Sequence, residues 1–141
     1  MADIAFTAAD IRPLVGSVTK PYQAGGAGGV GDAVYVAADA DVEVADAGTA
    51  ALAQAIGIVT AVGTLGALTF VAGDMLDVTI FGPVAGWTGA TPGDLAFVSA
   101  TAGNIADAAP AATNFIWVVG QVTKANVINI SCWTYDVVVV P

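Results

Sequence analysis

The sequence predicts an all-β fold, a small β-barrel or sandwich built from duplicated turn–strand units, with an extended N-terminal arm. Residues 31–36 (GDAVYV) are echoed by residues 93–98 (GDLAFV), with a shorter copy at residues 73–78 (GDMLDV). Each longer copy is followed at nearly the same distance by a glycine-containing element that ends in Val-Thr, at residues 56–60 (IGIVT) and 119–123 (VGQVT). A Gly-Asp turn before alternating or β-branched residues is typical of a turn that leads into a strand. Repetition of that unit indicates a duplicated β-structure whose side chains serve packing.

The chain divides into three predicted parts. Residues 1–24 form an extended arm with at most edge-strand pairing, because Pro13 and Pro21 cannot donate to a ladder and hold their predecessors extended. We expect these prolines to keep the arm out of the core. Residues 25–31 form a glycine-rich hinge, and residues 32–141 form the β-barrel body.

The body is predicted to contain about nine short strands separated by glycine turns, a pattern typical of a barrel or sandwich. The predicted strands are 32–37, 39–44, 55–62, 68–71, 75–81, 95–99, 115–122, 127–133 and 137–140. Residues 50–55 can form a helical turn that is too short to be stable alone, so no helix longer than about two turns is expected. If the duplication is structural, residues 32–60 and 94–123 form equivalent units.

Composition excludes several classes of function. Twelve acids and only three basic residues, Arg12, Lys20 and Lys124, leave a net charge of −9, so we expect no nucleic-acid binding, which needs cations to neutralise phosphates. No run approaches the roughly 20 apolar residues of a membrane span, and the N-terminus does not resemble a signal peptide. The hydrophobic fraction is nevertheless 57%, above the usual 45–50% or so. This surplus predicts burial between subunits of a homo-oligomer.

The residue types also argue against catalysis. The chain has no histidine, which excludes Ser–His and Cys–His nucleophiles and imidazole metal sites. A carboxylate-only hydrolase stays open, because two acids at the right separation can serve as acid and base. However, Asp32, Asp74 and Asp94 follow glycines in predicted turns, where an aspartate bonds to its own backbone. We therefore expect a protein that is not an enzyme.

Two motif matches fail on their context. Residues 26–31 fit the dinucleotide fingerprint, but that motif requires a preceding strand and a following helix, and here a strand is predicted to follow. The acids at residues 39–46 resemble the start of a calcium loop, yet its sixth and twelfth positions hold Val44 and Ala50 where glycine and glutamate are needed. We interpret these acids as the solvated face of a strand rather than as a weak cation site. We therefore expect no cofactor or metal.

The cysteine and the tryptophans are interpreted as packing residues. Cys132 lies in an apolar stretch and is expected to behave as a small buried hydrophobe. Trp87, Trp117 and Trp133 could form a sugar-stacking platform, but they lie in separate segments, and packing in the core or an interface is preferred.

The arm and the repeated phrases together resemble head decoration (cement) proteins of tailed bacteriophages and related head-fibre bases. The resemblance rests on residues 5–14 (AFTAADIRPL), the glycine run, residues 30–36, residues 92–98 and residues 119–122. It implies a compact β-barrel or tulip-like sandwich that trimerises on the outer capsid at local three-fold positions, with an arm that reaches onto the lattice. It brings no catalytic motif.

The resulting hypothesis is a structural virion protein that binds the outer capsid surface and stabilises the head lattice. Its expected partners are further copies of itself and the major capsid protein, with neither nucleic acid nor membrane. The residues predicted to contact the partner are Ile11, Arg12, Pro13, Leu14, Lys20 and Tyr22. The alternatives are a phage fibre or host-surface, glycan-binding β-module and a carboxylate-only hydrolase.

Overall fold

The computed structural model describes residues 2–111 and 113–139, and it confirms the predicted fold class. About half of the chain, 51%, is strand and 5% is helix, and the main sheet curls into a half-barrel. In the described part of the chain the helical segments are α1 (Ala50–Ala53) and a 3-10 turn over Ala8–Asp10. The expectation that no helix exceeds two turns is therefore confirmed for these residues.

Fourteen strands build the fold of the described residues. They are β1 (Ala5–Phe6), β2 (Arg12–Pro13), β3 (Val18–Gln23), β4 (Gly28–Gly29), β5 (Ala33–Val36), β6 (Val42–Val44), β7 (Ala55–Val62), β8 (Thr69–Phe70), β9 (Met75–Ala85), β10 (Trp87–Thr88), β11 (Leu95–Val98), β12 (Ile105–Ala106), β13 (Phe115–Lys124) and β14 (Val127–Val139). The main sheet has the order β12-β11-β13-β14-β9-β7-β5-β6, and every pairing is antiparallel. The pairs β1–β10 and β4–β8 form two small additional sheets.

The eight main strands divide into two units. The first unit contains β5, β6, β7 and the first half of β9, and the second contains β11, β12, β13 and the first half of β14. Their strand orders match, with β6-β5-β7-β9 in one and β12-β11-β13-β14 in the other. The two units meet where the second half of β9 pairs with β14.

The Gly-Asp turns occupy matching places in the two units. In the first, Gly31 donates its N–H to the Val59 carbonyl at 2.8 Å, and Val59 donates back to Asp32 at 3.0 Å. In the second, Gly93 donates to Val122 at 2.8 Å, and Val122 donates back to Asp94 at 2.9 Å. Both glycines have positive φ, +100° and +96°. The turn–strand phrase is thus the same structural element in both units.

The strand registers are also identical. The equivalent Cα pairs are Ala33↔Ile58, Val34↔Gly57 and Tyr35↔Ala55 in the first unit, and Leu95↔Gln121, Ala96↔Gly120 and Phe97↔Val118 in the second. Both pairings contain an irregularity at the same place, after the second pair. A bulge is a specified feature of a ladder, so its recurrence confirms that the repeated phrases form equivalent units.

The units differ most in the connection that precedes their last strand. β7 and β9 are joined by residues 63–74, which include β8, whereas residues 125–126 suffice between β13 and β14. The antiparallel pair needs no more than a two-residue turn. The longer connection in the first unit is therefore an addition to the common fold.

Residues 2–24 are extended as predicted, but they are part of the body. β2 and β3 run along β9 on the edge opposite β7 and β14, and the Leu14 N–H donates to Pro83. The expectation that this segment stays out of the core is wrong for Ile4 and Ile11, which are both 6% exposed. The prolines remove backbone donors, yet they leave the neighbouring apolar side chains free to pack.

The predicted glycine hinge, residues 25–31, contains bends at residues 25–26, the short strand β4 and the start of the turn at residues 29–32, and it is closely packed. β4 pairs with β8, and a Cβ at Gly28 would lie 2.9 Å from the Val44 side chain and would also overlap the Phe70 ring. Glycine therefore serves close packing at this position, because any larger residue would displace the buried Phe70.

Candidate functional site

The predicted contact residues lie on the edge formed by β2 and β3. Arg12, Pro13 and Lys20 are exposed, and Leu14 and Tyr22 are half-buried. Ile11 instead packs beneath Gly86, whose Cβ would lie 2.7 Å from the Ile11 backbone. A partner can reach the other five side chains, while Ile11 anchors the segment to its own body.

The backbone of β3 presents an interrupted edge. Among the described residues β3 pairs with β9 alone. The Ala24 N–H donates to Asp74 across this pair, so the alternation of an antiparallel ladder turns Tyr22 and Lys20 toward β9 and Pro21 toward the open side. Because Pro21 has no N–H, a strand added here would meet a gap in the ladder. A partner that binds at this edge would therefore contact mainly side chains rather than the backbone.

Two exposed aliphatic side chains stand at the tips of tight turns, and neither was predicted from the sequence. Val15 and Leu65 are fully exposed. Each precedes a glycine with positive φ, and the turns close with hydrogen bonds from Ser17 to Leu14 at 3.2 Å and from Ala67 to Thr64 at 3.1 Å.

Four other turns share this geometry and show what the tip position requires. They span residues 29–32, 71–74, 91–94 and 101–104, each closed by a bond of 3.1–3.2 Å and each with a glycine at positive φ. Their tip residues are Val30, which is buried, and Ala72, Pro92 and Ala102. The turn itself does not call for a large exposed apolar residue. An aliphatic residue before Gly in an uncharged stretch was the available sequence signal.

The turn aspartates bond to their own backbone as predicted in two of the three cases. The Gly29 N–H donates to Asp32 at 2.9 Å, and the Val71 N–H donates to Asp74 at 3.0 Å. Burial raises the pKa of Asp32 above its ordinary value, and the bond from Gly29 offsets part of that shift. Asp32 lies against Gly103, which would clash with it if it carried a Cβ. This carboxylate therefore sits at a contact between the two units.

Asp3 fastens the N-terminus to the edge of the second unit. Its carboxylate accepts bonds from the Ser99 hydroxyl and, at 2.8 Å, from the Asn104 amide, while the Ile4 N–H donates to Ile105. Burial alone would raise the pKa of Asp3, but hydrogen bonds from Ser99, Asn104 and Thr101 together hold it below its ordinary value. Through these bonds and an isolated bridge from Asp3 to Ala106, residues 2–4 cover the β12 edge, which would otherwise present unpaired backbone groups.

The acids at residues 39–46 make local contacts. The Asp41 N–H donates to Asp39 at 3.1 Å, the Gly48 N–H donates to Asp46, and the Tyr35 hydroxyl lies 3.5 Å from Glu43. Across residues 2–111 and 113–139, no three His, Cys, Asp or Glu side chains are grouped so that they could hold a metal ion. The weak cation site considered from the sequence gains no support.

The described tryptophans do not form an exposed platform. Trp87 is 2% exposed. Trp117 is half-buried, and its indole N–H donates to the Ala55 carbonyl at 3.0 Å, which ties the second unit to the first. The Trp133 side chain lies outside the described part of the structure.

Cys132 is largely shielded from solvent. Its thiol lies 3.6 Å from the Val119 carbonyl, and burial raises the pKa of the thiol to about 12. It therefore behaves as the small hydrophobe predicted from the sequence.

No protein-family model matches this chain, and no curated protein is similar to it in sequence. In the described residues, no helix is both long and apolar enough to cross a membrane.

Proposed function

We propose that this chain is a structural virion protein that binds the outer surface of a capsid and stabilises the head lattice. It acts there as a homotrimer, with the major capsid protein as its lattice partner. The resemblance of the sequence to tailed-phage decoration proteins supplies the virion, the capsid and the number three.

The observation that carries this proposal is that two turns have large, exposed apolar residues at their tips, whereas four turns of the same geometry do not. Val15 and Leu65 are large, apolar and fully exposed, in a turn geometry that accepts alanine or proline elsewhere in the chain. Exposed apolar side chains on hydrogen-bonded turns suit binding to another protein. Val15 also lies between β2 and β3, which carry Arg12 and Lys20, two of the three cations in a chain of net charge −9.

The proposed attachment combines an apolar anchor with two cations. Val15 would enter an apolar depression on the lattice, and Arg12 and Lys20 would face acidic groups beside it. Because Pro21 interrupts the open edge of β3, these side chains provide most of the specificity.

A particle-binding assay tests this assignment. Purified chain is added to heads that lack it, and the bound fraction is compared for Arg12→Glu, Lys20→Glu and Lys124→Glu. The third variant is the matched control, because it makes the same charge change at an exposed lysine at the end of β13. We expect the first two to weaken binding about tenfold or more and the control to bind as the natural chain does. Equal binding by all three variants would show that Arg12 and Lys20 do not contribute to the interface.

Val15→Ser completes the test. It removes the apolar tip and leaves the turn intact, so it should lower binding without changing thermal stability, whereas Ala102→Ser in an equivalent turn should change neither. If the natural chain binds no heads at all, the proposed function itself is wrong.

A further inference from the structure

The second unit carries a compact pocket on the face formed by β11, β13 and β14. Its volume is about 220 Å³. It is lined by Leu95, Val118, Gly120, Gln121, Asn129 and Ser131. None of these residues is charged, and none belongs to the surface proposed above for capsid attachment.

The equivalent position in the first unit is closed. Matching strand registers make Ala33, Ala55 and Ile58 the counterparts of Leu95, Val118 and Gln121. Those three first-unit residues are at most 1% exposed, whereas Leu95 is 43% exposed and Gln121 is also exposed. The common fold therefore does not require an opening here, and the second unit has one.

The polar groups of the pocket are partly held in place. The Gln121 amide donates through Nε2 to the Gly93 carbonyl at 3.1 Å, which orients the side chain and leaves Oε1 as an acceptor. Asn129 supplies both a donor and an acceptor, and Ser131 supplies a hydroxyl. Groups fixed before binding lose less conformational freedom when a ligand arrives.

This lining selects a class of ligand. An uncharged pocket with two amides and a hydroxyl satisfies a molecule that both donates and accepts hydrogen bonds, while Leu95 and Val118 cover an apolar face. A charged ligand would lose its hydration without a counter-charge, and an anion would also meet the field of a chain of net charge −9. The open pocket, with a volume of about 220 Å³, is of the size of one ring.

We propose that this pocket binds a single ring of a neutral sugar, either free or at the end of a glycan. The proposal does not depend on capsid attachment, since it uses a different surface and different residues. A decoration protein with such a site would also carry a carbohydrate contact on the outside of the particle.

Titration followed by backbone amide NMR tests the proposal. The probes are glucose, galactose and N-acetylglucosamine at millimolar concentration, glucuronate as a charged counterpart, and an oligosaccharide ending in whichever neutral sugar binds. We expect saturable shifts at residues 93–95, 118–121 and 129–131 for at least one neutral sugar and none for glucuronate. Tighter binding of the oligosaccharide identifies a glycan end as the ligand, and equal binding identifies the free sugar.

Two variants and a matched control make the test specific. Gln121→Leu should weaken binding about tenfold, and Ser131→Leu should fill the pocket and abolish it. Gln23→Leu makes the same amide-to-leucine change on exposed β3 and should leave binding unchanged. If no neutral sugar shifts these amides, or if Gln121→Leu and Gln23→Leu respond alike, the pocket is not a sugar site.

Discussion

The Asp32 side chain stabilises a turn, and its pKa is raised by burial. Its carboxylate accepts the Gly29 N–H and lies between the Gly-Asp turn of the first unit and Gly103 of the second. Burial raises its pKa, so the folded state disfavours the charged form. The hydrogen bond stabilises the turn while the buried charge opposes folding, and these two contributions can be separated by substitution.

We expect Asp32→Asn to be at least as stable at pH 7 as the natural chain, because asparagine keeps the acceptor and removes the charge. Asp32→Ala loses the acceptor and should cost about 0.5–1.5 kcal/mol. Urea unfolding of the three proteins measures the difference. A large loss of stability in Asp32→Asn would show that the charge itself is required.

The same aspartate predicts the sign of a pH dependence. Because its folded pKa lies above its ordinary value of 3.8, the unfolded chain ionises first as the pH rises. The contribution of this group to stability therefore falls from about pH 4 up to its folded pKa and is constant above it. The stability difference between Asp32→Asn and the natural chain should grow over that window. A difference that is independent of pH would contradict the raised pKa.

Cys132 should resist thiol reagents while the chain is folded. A pKa of about 12 leaves almost no thiolate at pH 8, and the thiolate is the reactive form. We expect negligible labelling by iodoacetamide in buffer and complete labelling in denaturant. Rapid labelling of the folded chain would show that the site opens.

At the scale of elements, two glycines make the repeated strand pairings possible. A Cβ on Gly57 would overlap the Thr79 carbonyl, and a Cβ on Gly120 would overlap the Asn129 carbonyl in the same way. Backbone in a ladder cannot move aside as the end of a side chain can. Glycine is therefore needed wherever β7 or β13 passes so close to its neighbour.

We expect Gly57→Ala and Gly120→Ala each to destabilise the fold by about 1–3 kcal/mol or more. Gly89→Ala is the control: Gly89 has positive φ, +74°, but nothing lies within 4 Å of its Cβ position, so it should cost only the backbone strain of about 1–2 kcal/mol. Thermal unfolding compares the three. If Gly120→Ala is no worse than Gly89→Ala, the close approach is relieved at little cost.

The elements also show what could be predicted from the sequence. The Gly-Asp phrase and the glycine-containing element that ends in Val-Thr are local signals, so the turns, most strands and the duplication followed from them. The continuation of β9 through Gly82 and Pro83 to Ala85 did not, because residue types along one segment do not reveal which strands will flank it. Ile4 and Ile11 were misplaced for the same reason: proline reports on the backbone of its own segment and not on where a neighbouring side chain will be buried.

The candidate surfaces were predictable only in part. Arg12 and Lys20 stood out as rare cations and are indeed exposed. The exposure of Val15 and Leu65 depends on which turns project from the body, and the pocket beside Gln121 depends on strand register. The residues adjacent in sequence reveal neither which turns project nor the strand register.

At the scale of the whole molecule, apolar surface remains after the core is built. Large hydrophobic residues that stay exposed include Val15, Val18, Leu65, Val71, Met75 and Phe81. Val18 and Phe81 are cross-strand partners on β3 and β9, so part of this surface is contiguous. Residues 63–73 carry no charge at all, although the chain as a whole has a net charge of −9. Two such chains repel each other least where they approach through uncharged surface.

We therefore predict that the isolated protein is a homo-oligomer, a trimer by its resemblance to decoration proteins, and that the uncharged residues 63–73 of the connection between β7 and β9 lie in its interface. Sedimentation at micromolar concentration should give a trimer for the natural chain. Leu65→Asp places a charge at the tip of this connection and should shift the protein toward monomer, whereas Thr113→Asp, at an exposed position outside this connection, should not. Salt should partly restore association of the Leu65 variant by screening the new charges. A natural chain that sediments as a monomer would contradict the prediction of an oligomer, and a trimeric Leu65→Asp variant would place the interface elsewhere.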